Sequence, residues 1–374
     1  IFNGTYKQLY KSKNSLTAAY LKGSEEIKTP TKRRKSTNKI TIEGAKQFNL
    51  KNISVDIPLN CLTCVTGVSG SGKSSLIGDI LYPALRKTKG ISNDTQGNYK
   101  ALKGNLDAIQ NIEFIDQNPI GKSSRSNPVT YVKAFDEIRD LFSRQQLSKA
   151  RNYKPGFFSF NVKGGRCEDC EGEGTITIGM QFMADVHLEC ETCKGKRYKK
   201  ETLDVLYREK SIHDILELSL EDALTFFGGK PDRLETKIIQ KIQPLVDVGL
   251  GYLKLGQASS TMSGGEAQRI KLASFLAKGN KLGPTLFIFD EPTTGLHFFD
   301  IEKLILAFNS LINQGHSIVV IEHNTEVLKC ADHIIDLGPE GGENGGNLLF
   351  TGTPEELVKE KKNETARFLK KALA

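Results

Sequence analysis

Residues 67 to 74 read Gly67-Val-Ser-Gly-Ser-Gly-Lys-Ser74, the residue types and spacing of G-x-x-x-x-G-K-[ST]. Glycines at Gly67, Gly70 and Gly72, with Ser69 and Ser71 between them, let backbone N–H groups converge on anionic oxygens where a larger side chain would block the approach. Lys73 is placed to reach β- and γ-phosphate oxygens, and Ser74 to offer a hydroxyl to Mg2+. The chemistry is that of a nucleoside triphosphate cradle. The elements needed to position it are present: Cys61 to Gly67 predicts a buried strand, and Ser75 to Leu81 an apolar helix whose N-terminal dipole end favours phosphate. A chance glycine-rich turn is the alternative, and the strand–loop–helix setting argues against it.

Downstream, Thr285-Leu-Phe-Ile-Phe-Asp290-Glu291 predicts an apolar strand ending in two carboxylates. Asp290 would hold Mg2+ directly or through water, and Glu291 would orient or deprotonate the attacking water. Ser317 to Ile321 predicts a second such strand, after which His323 stands either as a γ-phosphate sensor or as a structural histidine at a strand end. Gln117 would sense Mg2+ and the γ-phosphate, a reading that is weak taken alone. Met262-Ser263-Gly264-Gly265-Glu266-Ala267-Gln268-Arg269 resembles the ABC signature, a Ser-Gly-Gly turn that presents N–H donors from a helix start to an ATP γ-phosphate. The motifs occur in ABC ATPase order. Ser263 lies 190 positions after Lys73, much further than in a transporter ATPase, so a segment is inserted between them.

Inside that insertion are Cys167-Glu-Asp-Cys170 and Cys190-Glu-Thr-Cys193. Two C-x-x-C pairs with 19 residues between them suit a tetrahedral four-thiolate Zn2+ site. Gly165, Gly172, Gly174 and Gly195 flank the pairs and permit tight turns whose N–H groups can bond sulfur. Redox chemistry or core packing is the alternative. His187 reads as a bystander to a complete thiolate set. Cys61 and Cys64 would point to opposite faces of one strand and so pack in the core, as would Cys330. Seven cysteines without a signal-peptide pattern favour metal binding over disulfides, and a reducing, cytoplasmic compartment.

A chain of 374 residues holds about two or three domains. With 38% hydrophobic and 26% charged residues it has an ordinary soluble composition, and apolar runs such as Leu286–Phe289 are far too short to span a bilayer. The net charge of +8 favours a polyanionic partner weakly, the alternative being a solvated surface. Ile1-Phe-Asn-Gly-Thr-Tyr-Lys-Gln-Leu9 aligns with Leu349-Phe-Thr-Gly-Thr-Pro-Glu-Glu-Leu357 at an offset of 348, and the register continues through Thr17–Leu21 against Thr365–Leu369. Unless two short helices match by chance, residues 1–23 are the tail of a preceding ATPase module. The expected organisation is that tail, an exposed and flexible basic linker over 24–39, and an ATP-binding core in two parts, 40–118 and 283–374. A mostly helical signature region, 119–282, separates the parts and carries a zinc module at about 155–200. The fold class is α/β, an ABC ATPase (P-loop) core with that inserted region.

Asn49-Leu-Lys-Asn52-Ile53, Val65 to Lys73, Asp116-Gln-Asn-Pro119-Ile120-Gly121, Gly164-Gly-Arg-Cys167, Cys193-Lys-Gly-Lys-Arg197-Tyr198, Gly264 to Arg269 and Asp290-Glu-Pro-Thr-Thr-Gly-Leu-His297 resemble the UvrA family over essentially the whole chain. The match is to the C-terminal half, which carries the second ABC module. Departures are mild: Ser75 stands where the family often has Thr, and Met262 where it often has Leu. The resemblance implies recognition of damaged duplex DNA in bacterial nucleotide-excision repair, with ATP, Mg2+ and Zn2+. It also implies an upstream ATPase module, a UvrA dimer, UvrB reached through segments outside this chain, and no membrane. It places the insertion on the DNA-binding face, where Lys122, Ser123, Ser124, Arg125, Ser126 and Asn127 precede a helix from about Val129 to Phe142; a solvated loop is the alternative for that segment. No aromatic is compelled to stack on adenine, Phe48 being a weak candidate. The nucleotide-binding subunit of an ABC transporter, or a UvrA-like paralogue for drug self-protection, are the competing functions. The four-cysteine insertion argues against the first.

Overall fold

The computed structural model describes residues 2–91, 96–121, 125–179, 186–279 and 282–373. Along the chain the strands are β1 (Lys39–Ala45), β2 (Ile53–Pro58), β3 (Leu62–Gly67), β4 (Ala101–Gly104), β5 (Asn111–Ile115), β6 (Thr175–Ile178), β7 (Val186–Glu189), β8 (Thr285–Asp290), β9 (Ser317–Ile321), β10 (His333–Gly338) and β11 (Asn347–Gly352). The chain divides into two compact units, one of residues 1–117 with 278–374 and one of residues 118–277.

The first unit is built on a six-stranded sheet in the order β11-β10-β3-β9-β8-β5. The five strands from β10 to β5 run parallel, and β11 closes one edge antiparallel. All of Ser317–Ile321 is buried, as are the first five residues of β3 and of β8. Such strands must therefore be apolar throughout, as a parallel sheet covered on both faces requires. A second, antiparallel sheet, β2-β1-β4, alternates instead: Ile40, Ile42, Val55 and Ile57 point into the core. The parallel pairing sets Leu337 opposite Gly67 and Asp290 opposite Ile321, so the ends of four strands meet at one rim of the sheet. Ligands of open α/β sheets bind beyond such carboxyl ends.

Most of the segment expected to be an exposed, flexible basic linker, residues 24–39, is exposed, and it is anchored at three residues. Ile27 is buried, Arg33 pairs with Glu355 at 2.6 Å, and Arg34 pairs with the buried Asp332 at 3.1 Å. Asp332 also accepts the Leu62 N–H at 2.9 Å, so the cation answers a carboxylate already committed to the sheet. The two copies of the repeat open alike, with capping boxes at Thr5–Gln8 and Thr353–Glu356.

The second unit is mostly helical and includes Phe135–Ser143, Leu220–Gly228, Arg233–Asp247 and the helix that starts at Gly264, with β6 and β7 as a small antiparallel ribbon. The single helix expected from Val129 to Phe142 is two, Pro128–Tyr131 and Phe135–Ser143. The break falls at Lys133, whose φ is +59°. Among the described residues no helix is long and apolar enough to cross a membrane.

Candidate nucleotide and zinc sites

The phosphate loop leaves β3 at Gly67, with φ +134°; a Cβ there would lie 2.0 Å from the Leu337 carbonyl oxygen of the neighbouring strand. Only glycine fits. Asn49 Nδ2 donates to the carbonyls of Gly70 at 2.8 Å and Gly342 at 3.0 Å, tying the loop to its neighbour. Ser69, Gly70 and Ser74 are exposed, Ser75 is half-buried, and Ser71, Gly72 and Lys73 are buried. A wide π-helical turn, Ser75–Leu81, follows the loop. Lys73 Nζ donates to the carbonyls of Gly67 and Val68, each at 2.9 Å. Burial lowers its pKa, and Glu291, Asp336 and Asp290 oppose that effect. The Ser71 hydroxyl is buried without a hydrogen-bond partner, an orphan that fits a phosphate-binding loop.

Asp290 ends β8 half-buried. Desolvation first, and the Glu291 charge second, raise its pKa, while Lys73 counteracts them. Glu291 adopts φ +44°, an uncommon left-handed backbone for a residue with a side chain. Its N–H donates to the Ile321 carbonyl at 3.0 Å, and its own carbonyl accepts Gln117 Nε2 at 3.2 Å. His323 Nδ1 lies 4.0 Å from Glu291 Oε1, both side chains being largely exposed. The rim thus gathers the phosphate loop, Lys73, Asp290, Glu291, Gln117 and His323. Such a group can hold a triphosphate, seat Mg2+ on oxygen ligands and present a carboxylate to water. Phe48 is 77% exposed with φ +51°, available as a flat surface rather than packed in the core.

In the second unit Ser263 stands immediately before its helix. The Ser263 N–H donates to Glu266 Oε2 at 2.8 Å, and the Glu266 N–H donates to Ser263 Oγ at 3.3 Å. Tyr252 OH donates to the other Glu266 oxygen at 2.7 Å. Glu266 is therefore used in capping. The unpaired N–H groups of this helix start, at Gly264 and Gly265, are what the turn can offer an anion.

The four cysteines converge. Their sulfurs all lie within 4.8 Å of one another, with Cys167 Sγ 3.9 Å from Cys190 Sγ and Cys170 Sγ 3.6 Å from Cys193 Sγ. Zn–S bonds of about 2.3 Å in a tetrahedron place sulfurs about 3.8 Å apart, so the donor set fits zinc, and these separations are far beyond a disulfide. Gly174 N–H donates to Cys170 Sγ at 3.3 Å. Burial opposes the Cys190 thiolate, but N–H groups of Cys193 and Thr192 help hold that thiol below its ordinary value. At Gly172, φ +85°, a Cβ would lie 2.0 Å from the Phe160 carbonyl oxygen. Cys61 and Cys64 are buried in β3 and its approach, and burial pushes both thiols up, as it does Cys330.

Lys122, Ser123 and Ser124 lie outside the described residues, as does the side chain of His187. Arg125 is turned toward the zinc module, its guanidinium 3.1 Å from Glu171 and 3.5 Å from Glu173. The Ser126 carbonyl accepts the Ser259 N–H at 2.8 Å, and Asn127 caps the helix that follows.

A phosphate loop, an Asp-Glu strand end and a histidine on one parallel sheet, with a Ser-Gly-Gly helix start in an inserted helical unit, define the ABC ATPase fold. No family model matches the sequence. Over all 374 residues the chain is 51% identical to UvrABC system protein A of Clostridium perfringens, of which it covers 39%. It is 52% identical to UvrABC system protein A of Aquifex aeolicus over the same length, covering 40%. The crystal structure of UvrA2 from Deinococcus radiodurans matches with TM-score 0.90 and 41% identity over 100% of this chain and 44% of that one. Over its whole length the chain is similar to part of the UvrA proteins. It spans about two-fifths of the length of the curated relatives it matches.

Proposed function

We propose that this chain is the DNA-binding, second ABC ATPase module of a nucleotide-excision-repair protein, which recognises damaged duplex DNA through ATP binding and hydrolysis at composite sites. The observation that carries the reading is identity of about half, over all 374 residues of this chain, to UvrABC system protein A, supported by the phosphate-loop, Asp290-Glu291 and four-cysteine motifs. In this reading Gly67, Ser69, Gly70, Ser71, Gly72 and Ser75 shape the cradle and Lys73 binds the β- and γ-phosphates. Ser74 and Asp290 hold Mg2+, which neutralises phosphate charge when bound. Glu291 orients and deprotonates water, while Gln117 and His323 sense the γ-phosphate. Ser263, Gly264 and Gly265 serve the ATP of a partner module, with Glu266 holding their turn. Cys167, Cys170, Cys190 and Cys193 hold Zn2+, which cross-links the fold of the module. The partners are the upstream ATPase module, a second UvrA copy and UvrB, in the cytoplasm. DNA contact falls to Lys122, Ser123, Arg125 and Ser126, with Arg125 exchanging its acidic partners for phosphate.

The experiment compares binding of a duplex carrying one bulky adduct with binding of the same duplex undamaged, in the whole natural chain, with and without Mg-ATP. Tighter, nucleotide-dependent binding of the damaged duplex is expected. Equal affinity for both duplexes in every nucleotide state would reject damage recognition.

A further inference from the structure

Glu322 is 1% exposed, and a buried carboxylate is tolerated only where its oxygens are satisfied. Here they are. Oε1 accepts the Thr293 N–H at 3.0 Å and also the Thr293 hydroxyl; Oε2 accepts the His323 N–H at 2.8 Å and the Asn324 N–H at 2.9 Å. A carboxylate offers about four acceptor sites, and four donors fill them. Glu322 is therefore not free to act as a base or a metal ligand, although it stands beside Asp290 and Glu291.

What the carboxylate joins is informative. Thr293 lies two residues past Glu291, whose backbone is held at φ +44°. Such a conformation persists only where the surroundings over-determine it. The backbone ladder between β8 and β9 gives out at this point, Asp290 facing Ile321 and Glu291 N–H donating to the Ile321 carbonyl. Beyond it, among the described residues, no strand pairing fixes the Glu291 loop against the His323 loop. The Glu322 side chain spans that gap, while its own N–H is held by the Val65 carbonyl at 3.0 Å, on the phosphate-loop strand.

We propose that Glu322 is a positioning residue that clamps the Glu291 loop to the His323 loop, so that the water-activating carboxylate and the γ-phosphate sensor share one fixed geometry. This rests on the ATPase reading above. Its signature is a loss in turnover rather than in nucleotide affinity, because the phosphate loop does the binding and the clamp governs only where water is presented.

The test uses the whole natural chain, with Glu291→Gln marking how much hydrolysis belongs to this module. Glu322→Gln keeps the shape but turns an amide NH2 toward N–H donors. It is expected to cut the Glu291-dependent kcat about tenfold or more, with the Kd for mant-ATP and Mg2+ changed less than about threefold. Thr293→Val, which removes only the hydroxyl, should lower kcat as well, and Thr293→Ser should restore it. A folded Glu322→Gln protein at wild-type kcat overturns the proposal, and so does Thr293→Val at wild-type kcat if Glu322→Gln does not fold. If Glu291→Gln itself leaves hydrolysis untouched, it is the ATPase assignment that fails.

Discussion

Asp290 bears two opposing demands. Binding Mg2+ needs a charged carboxylate, whereas burial and the neighbouring Glu291 charge raise its pKa and disfavour that charge in the folded chain. Between its ordinary pKa and the raised one, the folded chain holds a proton that the unfolded chain has released. Stability from this group is thus fullest below the ordinary value and is lost as pH rises through the folded pKa. Asp290→Asn should raise the melting temperature of the nucleotide-free protein at pH 7 while reducing the further rise that Mg-ATP produces, which calorimetry with and without nucleotide would record. An unchanged Mg-ATP shift would remove Asp290 from the metal site. Gly67 shows the reverse case, a residue with no alternative. Gly67→Ala sets a methyl against the Leu337 carbonyl at a positive φ and should cost about 3 kcal/mol of stability by denaturant unfolding.

Among the elements, the zinc module packs Phe158, Phe160 and Tyr198 into its unit, but the ribbon of β6 and β7 leaves Ile176, Ile178, Val186 and Leu188 exposed, so the knuckles and ribbon rely on the sulfurs and their turns. Metal should therefore be a large part of its folding energy. Elemental analysis should find about one zinc per chain, and Cys170→Ser should lower it and make 155–200 the first region to gain hydrogen exchange. Full zinc retention in a Cys167→Ser, Cys170→Ser double variant would contradict the four-thiolate site. The same comparison shows what sequence can reveal. The phosphate loop, the Asp290-Glu291 strand end and the cysteine pairs were legible because their chemistry is set by local spacing, and the apolar runs of β3, β8 and β9 read directly as strands, though not their parallel pairing. Contacts between residues far apart were not. Glu322 looks like any acidic residue beside a histidine until Thr293 is brought to it, and Arg34 looks solvated until Asp332 is. Lys133 carries no glycine-like signal for its positive φ, so the helix break was hidden, and the capping use of Glu266 depends on Tyr252 as well as on Ser263.

At the scale of the whole molecule, a net charge of +8 suits a polyanion, but at Arg125 the cation is already engaged by Glu171 and Glu173. If Arg125 exchanges those partners for a phosphate, Arg125→Ala should weaken DNA binding and flatten the slope of log affinity against log salt by about 0.9. An unchanged slope would take Arg125 off the DNA surface. The central claim, that this chain holds half of a composite ATPase, is tested most directly by measuring the ATPase rate per chain against protein concentration. Sedimentation of the same samples would give the association state, with Glu291→Gln run in parallel. The expected result is Mg-ATP binding at every concentration, a rate per chain that rises only as chains associate, and a fall of about a hundredfold or more in Glu291→Gln with binding retained. A strictly monomeric chain turning over at a rate independent of concentration would contradict it.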